Sequence, residues 1–246
     1  MVRRLVAAGC VAAEDEAEEL ITAAPDAGTL DRWVARRERG EPLAWITGTM
    51  RFCGRPLHLA PGVYVPRIQS EELARRASRL LSDRARAADL CTGAGAIAAH
   101  MRAAAPTTSV IGVDVDSTAV ACARRNGVPA LVGDLDLPLQ PERTFDVVTA
   151  VPPYVPTGDL RILPADVQRY EPRAALDGGI DGLDLARRVV AAARRLLRPG
   201  GWLLIELGGK QDEALAPDLA PFGFSDVESW RDDDGELRGL SARLTL

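Results

Sequence analysis

The sequence predicts an α/β protein whose sheet is mostly parallel and ends in an antiparallel C-terminal hairpin. Between about residues 88 and 207, short apolar runs alternate with helical patterns, which is the arrangement of βαβ units. Two further strand-like runs, at 225–230 and 239–245, flank an Asp-Asp-Asp-Gly turn. With 246 residues and 47% hydrophobic content, the chain can bury one sizeable core and still carry a small appendage.

Two smaller regions precede this domain. The pattern of residues 1–40 predicts short helices, which form an N-terminal helical region. This region either packs on the main domain or contacts a partner through its arginines. In residues 41–70, glycines and prolines separate short apolar pieces, a pattern typical of a β-hairpin, and we interpret them as a connector. Ser70, followed by two glutamates, begins a helix that opens the domain at 71–246.

A strand, a glycine loop and a helix follow at residues 88–100. Gly93 and Gly95 allow a positive φ and a close approach of a ligand to the backbone. The N-terminus of the following helix offers free N–H groups. The spacing is G-x-G without a third glycine, so it matches the dinucleotide fingerprint poorly. Alone, the loop indicates a nucleotide-like ligand or a plain tight turn.

The strands that follow end in chemically useful residues. The strand at 109–114 ends at Asp114, where an acid can bind ribose hydroxyls. A short strand at 130–132 leads to Asp134, and the strand at 145–150 leads to Val-Pro-Pro-Tyr at 151–154. This order resembles class I S-adenosylmethionine (SAM)-dependent methyltransferases, and the resemblance implies their Rossmann-like sheet.

Further motifs narrow the resemblance to one family and cover about residues 40–246. The chain is similar to protein-(glutamine-N5) methyltransferases, which methylate release factors on the glutamine of a Gly-Gly-Gln loop. The matching stretches are Pro-Leu-Ala-Trp-Ile-Thr-Gly at 42–48, Phe-Cys-Gly at 52–54, Val-Pro-Arg-Ile-Gln-Ser-Glu at 65–71, the segment from Glu-Pro at 171–172 to Asp184, and the Glu-x-Gly-x-x-Gln ending at 206–211.

The resemblance implies SAM as the cofactor. The loop backbone would cradle the methionine part, with Asp89 near its ammonium. Asp114 would accept hydrogen bonds from both ribose hydroxyls, and Asp134 would accept one from the adenine amino group. Ser70 either closes over the cofactor or is a plain helix cap. The implied cofactor-binding residues are Ser70, Asp89, Cys91, Thr92, Gly93, Ala94, Gly95, Asp114, Val115, Asp134 and Leu135.

The implied catalytic residues are Val151, Pro152, Pro153 and Tyr154. The family has Asn in place of Val151. In the family, the Asn side chain and the carbonyl of the following Pro accept hydrogen bonds from the two N–H groups of the target amide, and the tyrosine stacks on that amide. The Val151 side chain cannot accept a hydrogen bond. An unpaired buried donor costs about 1–3 kcal/mol, or roughly tenfold to a hundredfold in rate.

Three interpretations of Val151 follow. Another acceptor replaces the Asn, with Glu171 a candidate after the long 155–169 loop; alternatively, Glu171 forms an ion pair with an arginine. The true methyl acceptor is a different nucleophile with fewer N–H groups. Or the protein binds SAM with little catalysis. The implied substrate-binding residues are Val151, Pro152, Tyr154 and Glu171.

Composition limits the function classes. A net charge of −5 argues against bulk nucleic-acid binding. Four scattered cysteines and two histidines make a zinc site improbable and favour a reducing, cytoplasmic setting. No stretch is long enough for a membrane span. We therefore expect a cytoplasmic methyltransferase that acts on a protein glutamine, with no metal and no membrane. The alternatives are another amide or amine acceptor, a nucleobase included, a SAM-binding regulator and, more remotely, an NAD oxidoreductase.

Overall fold

The structure, a computed structural model, describes residues 1–140 and 143–245. Among these residues, β1 and β2 form a separate antiparallel hairpin, and the other seven strands form one sheet in the order β5-β4-β3-β6-β7-β9-β8. The strands are β1 (Thr49–Phe52), β2 (Arg55–His58), β3 (Arg86–Leu90), β4 (Ser109–Asp114), β5 (Ala130–Val132), β6 (Phe145–Ala150), β7 (Leu197–Glu206), β8 (Phe224–Arg231) and β9 (Leu237–Leu244).

Pairing within the large sheet is parallel from β5 to β7 and antiparallel where β9 joins β7 and β8. The predicted fold class is therefore confirmed. The helices are α1 (Val2–Ala7), α2 (Ala13–Ala23), α3 (Ala27–Arg37), α4 (Leu43–Thr47), α5 (Ser70–Arg79), α6 (Ala96–Ala104), α7 (Ser117–Arg125), α8 (Ala165–Tyr170), α9 (Asp184–Leu196) and α10 (Gln211–Leu219).

Each face of the sheet is covered by its own apolar cluster. Successive residues of a strand point to opposite faces, so Ala87 belongs to one cluster and Ala88 to the other. The first cluster includes Met101 of α6, and the second includes Leu196 of α9 and Leu203 of β7, all fully buried. Complete burial of a side chain of this size contributes about 1.5–3 kcal/mol. Burial on both faces explains why these strands are short continuous apolar runs.

The chain order across the sheet creates a crevice. From β3 the chain proceeds outward through β4 to β5, then returns to β6 on the other side of β3. In open α/β sheets, ligands bind outside the carboxyl ends of the strands at such a switch point. The segments that follow β3, β4 and β6 therefore meet at one edge of the sheet.

The N-terminal helices have a small core of their own, which includes Leu5, Leu20 and Val34. They contact the rest of the chain through Tyr170, whose hydroxyl donates to the Arg39 carbonyl at 3.0 Å. The Tyr170 ring also meets Trp45 edge-on at 6.3 Å between centroids. The helical region thus packs against the long segment that follows β6.

Two local expectations are wrong. The sequence predicts a weak helix over 211–216 that Pro217 cuts short, because proline lacks an N–H, but α10 runs through Pro217 to Leu219. Burial of Leu215 and Leu219 on one helix face outweighs the hydrogen bond that the proline removes. The sequence also predicts that Arg-Pro-Gly-Gly at 198–201 ends the helix at 185–197 and separates it from a strand at 202–207, but this segment lies within β7, which begins at Leu197 paired with Phe145.

Candidate active site

A cavity of about 320 Å³ opens at the carboxyl ends of β3, β4 and β6, and we call it the main cavity. Its lining contains most of the residues singled out from the sequence. Those residues are Ser70, Asp89, Cys91, Thr92, Gly93, Ala94, Asp114, Val115, Asp134, Leu135, Val151, Pro152, Pro153 and Tyr154. Gly95 and Glu171 are outside this lining.

Asp89 is a buried carboxylate at the floor of the main cavity, with 1% exposure. Its two oxygens accept the hydroxyls of Thr92 at 2.6 Å and Thr149 at 2.7 Å. Burial raises its pKa to about 6, although both hydroxyl donors oppose the shift. In the part of the chain that the structure describes, Asp89 forms no ion pair. A buried carboxylate without a cation partner is suited to a ligand ammonium.

Asp114 fixes the glycine loop. One of its oxygens accepts the Gly93 N–H at 2.8 Å, and the other accepts the Asp116 N–H at 3.0 Å. Burial raises its pKa, while these backbone donors oppose the shift. Gly93 has φ +55°, and a Cβ there would meet no described atom within 4 Å, so its exposed face is open to a ligand. Each carboxylate oxygen retains capacity to accept a hydroxyl.

Gly95 is required by helix packing and not by the cavity. Its φ is +79°, and a Cβ there would lie 3.0 Å from the Ala123 Cβ. The residue therefore lets α6 begin directly against α7 and does not itself border the main cavity. This close approach joins elements about thirty residues apart, which the G-x-G spacing alone did not reveal.

Asp134 lies at the far end of the main cavity and is paired with Arg188 of α9. The Asp134 Oδ2 and Arg188 Nη2 atoms are 2.6 Å apart, and both side chains are substantially exposed. Arg188 also lines the cavity. The sequence offered no signal for this arginine, since it is one of several on the polar side of an amphipathic helix.

The Val-Pro-Pro-Tyr segment leaves β6 at the rim of the main cavity. Pro152 and Pro153 are buried, whereas Val151 is half-buried and packs against an apolar cluster of the sheet. The Tyr154 carbonyl accepts the Gln211 side-chain amide at 2.8 Å. The Gln211 Oε1 accepts the Gly208 N–H at 3.0 Å. One glutamine of the Glu-x-Gly-x-x-Gln ending thus anchors the tyrosine segment.

The glycine-rich segment after Glu-Pro packs directly on this backbone. A Cβ at Gly178 would lie 2.6 Å from the Pro153 carbonyl oxygen, and one at Gly182 would lie 2.3 Å from that of Tyr154. Neither position tolerates a side chain. These contacts explain the first and last glycines of the Gly-Gly-x-Asp-Gly pattern, whereas Gly179 has φ +90° and a Cβ there would meet the Asp184 side chain.

Glu206, at the end of β7, lies behind Tyr154 with 2% exposure. Neither of its oxygens has a hydrogen-bond partner within 3.5 Å among the described residues. The Ser70 and Tyr154 hydroxyls are its nearest polar neighbours, and burial raises the pKa of the carboxyl. Burial and this carboxylate also raise the pKa of Tyr154. The motif ending at Gln211 contained this residue, but no role for it followed from the sequence.

Glu171 lies beside the main cavity without lining it. Its Oε1 accepts Arg67 Nη2 at 2.6 Å, and its side chain is 3% exposed. Of the two interpretations of Glu171, the ion pair is the one present in the structure. Tyr64, which the sequence did not single out, does line the main cavity, and burial raises its pKa to about 12.

Comparisons with known proteins agree with this geometry. A methyltransferase domain model matches residues 87–170. A release factor glutamine methyltransferase from Geobacter sulfurreducens is 41% identical over 217 residues, which cover 86% of this chain and 76% of that protein. The Pseudomonas aeruginosa enzyme of the same name is 39% identical, covering 85% and 78%. The chain belongs to the release factor glutamine methyltransferase family.

Solved structures show the same fold for this family member. A protein-(glutamine-N5) methyltransferase from Alicyclobacillus acidocaldarius is 24% identical with a TM-score of 0.50, over 77% of this chain and all of that one. A methyltransferase from Pyrococcus furiosus is 20% identical with a TM-score of 0.57, over 86% and 98%. In residues 1–140 and 143–245, no helix is long and apolar enough to cross a membrane.

The main cavity of this methyltransferase fits SAM, the methyl donor of its family. The Asp89 carboxylate, which has hydroxyl donors but no cation partner among the described residues, suits the ammonium, and the open face of Gly93 leaves room along the loop. Asp114 has acceptor capacity for a ribose diol. Asp134 keeps its Oδ1 outside the ion pair with Arg188. These assignments are proposals that rest on the geometry described above.

Proposed function

We propose that this enzyme transfers a methyl group from SAM to the side-chain amide nitrogen of a glutamine in a peptide chain release factor. The observation that carries the proposal is the position of the Pro-Pro-Tyr segment. It is anchored at the rim of the same cavity that contains the carboxylates of Asp89 and Asp114. The names of the relatives in Geobacter and Pseudomonas support the acceptor.

SAM supplies an activated methyl group on a positively charged sulfur. The protein therefore has to hold the acceptor nitrogen close and in line, and to exclude water. The prolines at 152 and 153 have no N–H to compete for an acceptor, and their fixed φ keeps the segment rigid. The half-buried ring of Tyr154, which lines the cavity, provides a flat surface for a planar amide.

Val151 is the residue that makes this family member unusual. The Pro152 carbonyl is proposed to accept one amide N–H, and the Val151 side chain cannot accept the second. The phenol oxygen of Tyr64 belongs to a residue of the same cavity, and a neutral phenol can accept a hydrogen bond. Burial raises the pKa of Tyr64 to about 12, so its hydroxyl is protonated at neutral pH. We propose that Tyr64 replaces the missing asparagine.

The test is transfer of labelled methyl from SAM to a recombinant release factor. We expect label on the glutamine of its Gly-Gly-Gln loop, and none on an acceptor in which that glutamine is alanine. If the Tyr64 hydroxyl pairs with the second N–H, Val151→Asn should leave kcat within about threefold of the native value. An increase of about tenfold to a hundredfold would show that this N–H is unpaired in the native enzyme and would contradict that role. The matched variant Val151→Ala removes the same side chain without adding an acceptor and should give no increase.

Val151 also favours a second candidate, a different amide or amine acceptor with fewer N–H groups. Label on the release factor only with Val151→Asn would indicate that docking is intact and the native acceptor differs. Label on the Ala-substituted release factor would contradict the assignment of the target glutamine. If neither the native enzyme nor Val151→Asn labels the release factor but both bind SAM, the second candidate or a SAM-binding role would remain.

A further inference from the structure

A second cavity, of about 290 Å³, lies beside the main cavity, and we call it the side pocket. Two pairs of neighbouring residues form the wall between the cavities. Pro66 and Pro172 line the main cavity, whereas Arg67 and Glu171 line the side pocket. The ion pair between Arg67 and Glu171 closes this wall. A molecule large enough to reach both openings can therefore place one group in each.

The side pocket carries an excess of negative charge. Its arginines are already neutralised, since Arg37 pairs with Glu16 at 2.6 Å and Arg67 pairs with Glu171 at 2.6 Å. Glu19 and Asp166 also line it, and neither forms an ion pair within the described residues. Among the described residues, the one hydrogen bond that the Glu19 carboxylate accepts is from the Thr47 hydroxyl, at 3.2 Å.

The innermost carboxylate is incompletely satisfied. Glu171 lines the side pocket, its side chain is 3% exposed, and its Oε2 has no hydrogen-bond partner among the described residues. Burial raises its pKa, although Arg67 opposes the shift. A buried acceptor without a donor is unusual in a native protein, and a ligand that brings N–H groups would satisfy it.

The remaining wall defines the shape of that ligand. Leu43, Met50 and Val167 provide apolar surface beside the carboxylates. In the described part of the chain, no three His, Cys, Asp or Glu side chains lie close enough together to hold a metal ion. A charged head on an apolar stem, which is the form of an arginine or lysine side chain, matches both features.

We propose that the side pocket binds an arginine or lysine side chain of the protein substrate while the target side chain occupies the main cavity. The inference rests on the proposed function, because it assumes a protein acceptor. It adds a specificity determinant formed jointly by the N-terminal helices, through Glu19 of α2, and the segment after β6, through Asp166 of α8.

The experiment uses the double variant Glu19→Gln/Asp166→Asn in the 246-residue chain. Its matched control is Glu18→Gln/Asp159→Asn, two neighbouring acids outside the side pocket. With a release factor as acceptor, the double variant should raise KM for the protein by at least about tenfold and weaken its salt dependence. The kcat and the Kd for SAM should be unchanged. An unchanged KM would overturn the proposal.

A second readout separates this proposal from the proposed function. N-acetyl-L-arginine methylamide is titrated into each protein and followed by NMR. We expect millimolar binding to the native protein and the control, and loss of binding in the double variant. The native protein could bind this probe in the expected pattern and yet not methylate the release factor. That result would contradict the proposed methyl acceptor and support the proposed side pocket. If the native protein does not bind the probe, the pocket proposal fails whatever the activity.

Discussion

The two halves of the main cavity are built in different ways. The donor half consists of Asp89, the glycine loop, Asp114 and Asp134, which follow or end three successive strands. The glycine loop is held by a contact that is short in sequence, between Asp114 and Gly93 across 21 residues, although Asp89 also accepts the Thr149 hydroxyl of β6 across 60 residues. The acceptor half depends on Gln211, which holds Tyr154 across 57 residues. Binding of the donor and presentation of the acceptor should therefore be separable by mutation.

Asp114→Ala should have the largest effect, and it should act on the donor half. The variant loses two backbone hydrogen bonds to a carboxylate and the proposed ribose acceptor. Loss of about 3 kcal/mol corresponds to a Kd for SAM roughly a hundredfold higher. Isothermal titration with SAM measures it. Asp146→Asn is the control, because that acid accepts the Arg86 N–H at the opposite end of the sheet. An unchanged Kd for Asp114→Ala would rule out the proposed role.

Gln211→Leu should affect the acceptor half alone. It leaves the Tyr154 carbonyl and the Gly208 N–H without their side-chain partner. We expect kcat to fall about tenfold to a hundredfold, because an unsatisfied buried group costs about 1–3 kcal/mol. The Kd for SAM should stay within about twofold.

Steady-state kinetics and SAM titration of the same preparation check this separation. Gln168→Leu is the matched control, since that exposed glutamine donates to the Arg161 and Leu163 carbonyls, away from the main cavity. A parallel loss of SAM binding in Gln211→Leu would mean that the two halves are coupled, which would contradict the comparison.

The same distinction explains what could be predicted from the sequence. The strands and the acids at their ends follow from local patterns, because apolar runs and turns depend on neighbouring residues. Contacts across long sequence separations gave no such signal. The pairing of Arg188 with Asp134 spans 54 residues, and that of Arg67 with Glu171 spans 104. The burial of Glu206 behind Tyr154 and the passage of α10 through Pro217 likewise depend on tertiary packing.

The acidic floor of the donor half predicts opposite pH dependences for binding and for stability. Burial raises the pKa of Asp89 to about 6, above the value near 3.9 expected in the unfolded chain. In the free protein, its contribution to stability is present below about pH 4 and is lost as the pH rises through 6. Binding of a ligand ammonium requires the ionised form, so SAM affinity should fall by about tenfold between pH 7 and pH 5.

Asp89→Asn isolates both effects, because the other carboxyls with raised pKa values contribute equally to the native and variant proteins. The free energy of unfolding of the native protein, relative to that of the variant, should decrease as the pH rises from about 4 through about 6. The variant should also lose most of the pH dependence of SAM binding over this range. Equal pH profiles for native and variant proteins would show that Asp89 does not face the ammonium.

Arg188→Gln should have the smallest effect and sharpens the role of Asp134. The ion pair is largely exposed, so it contributes at most about 1 kcal/mol to stability. Its removal frees the Asp134 carboxylate for the adenine amino group, and SAM should bind up to about threefold more tightly. Arg187→Gln is the matched control on the same helix, because Arg187 pairs with Asp181 and Asp218 outside the main cavity. Binding weakened by tenfold or more would instead assign Arg188 itself to the cofactor, and the donor half would then depend on α9 as well as on the strand ends.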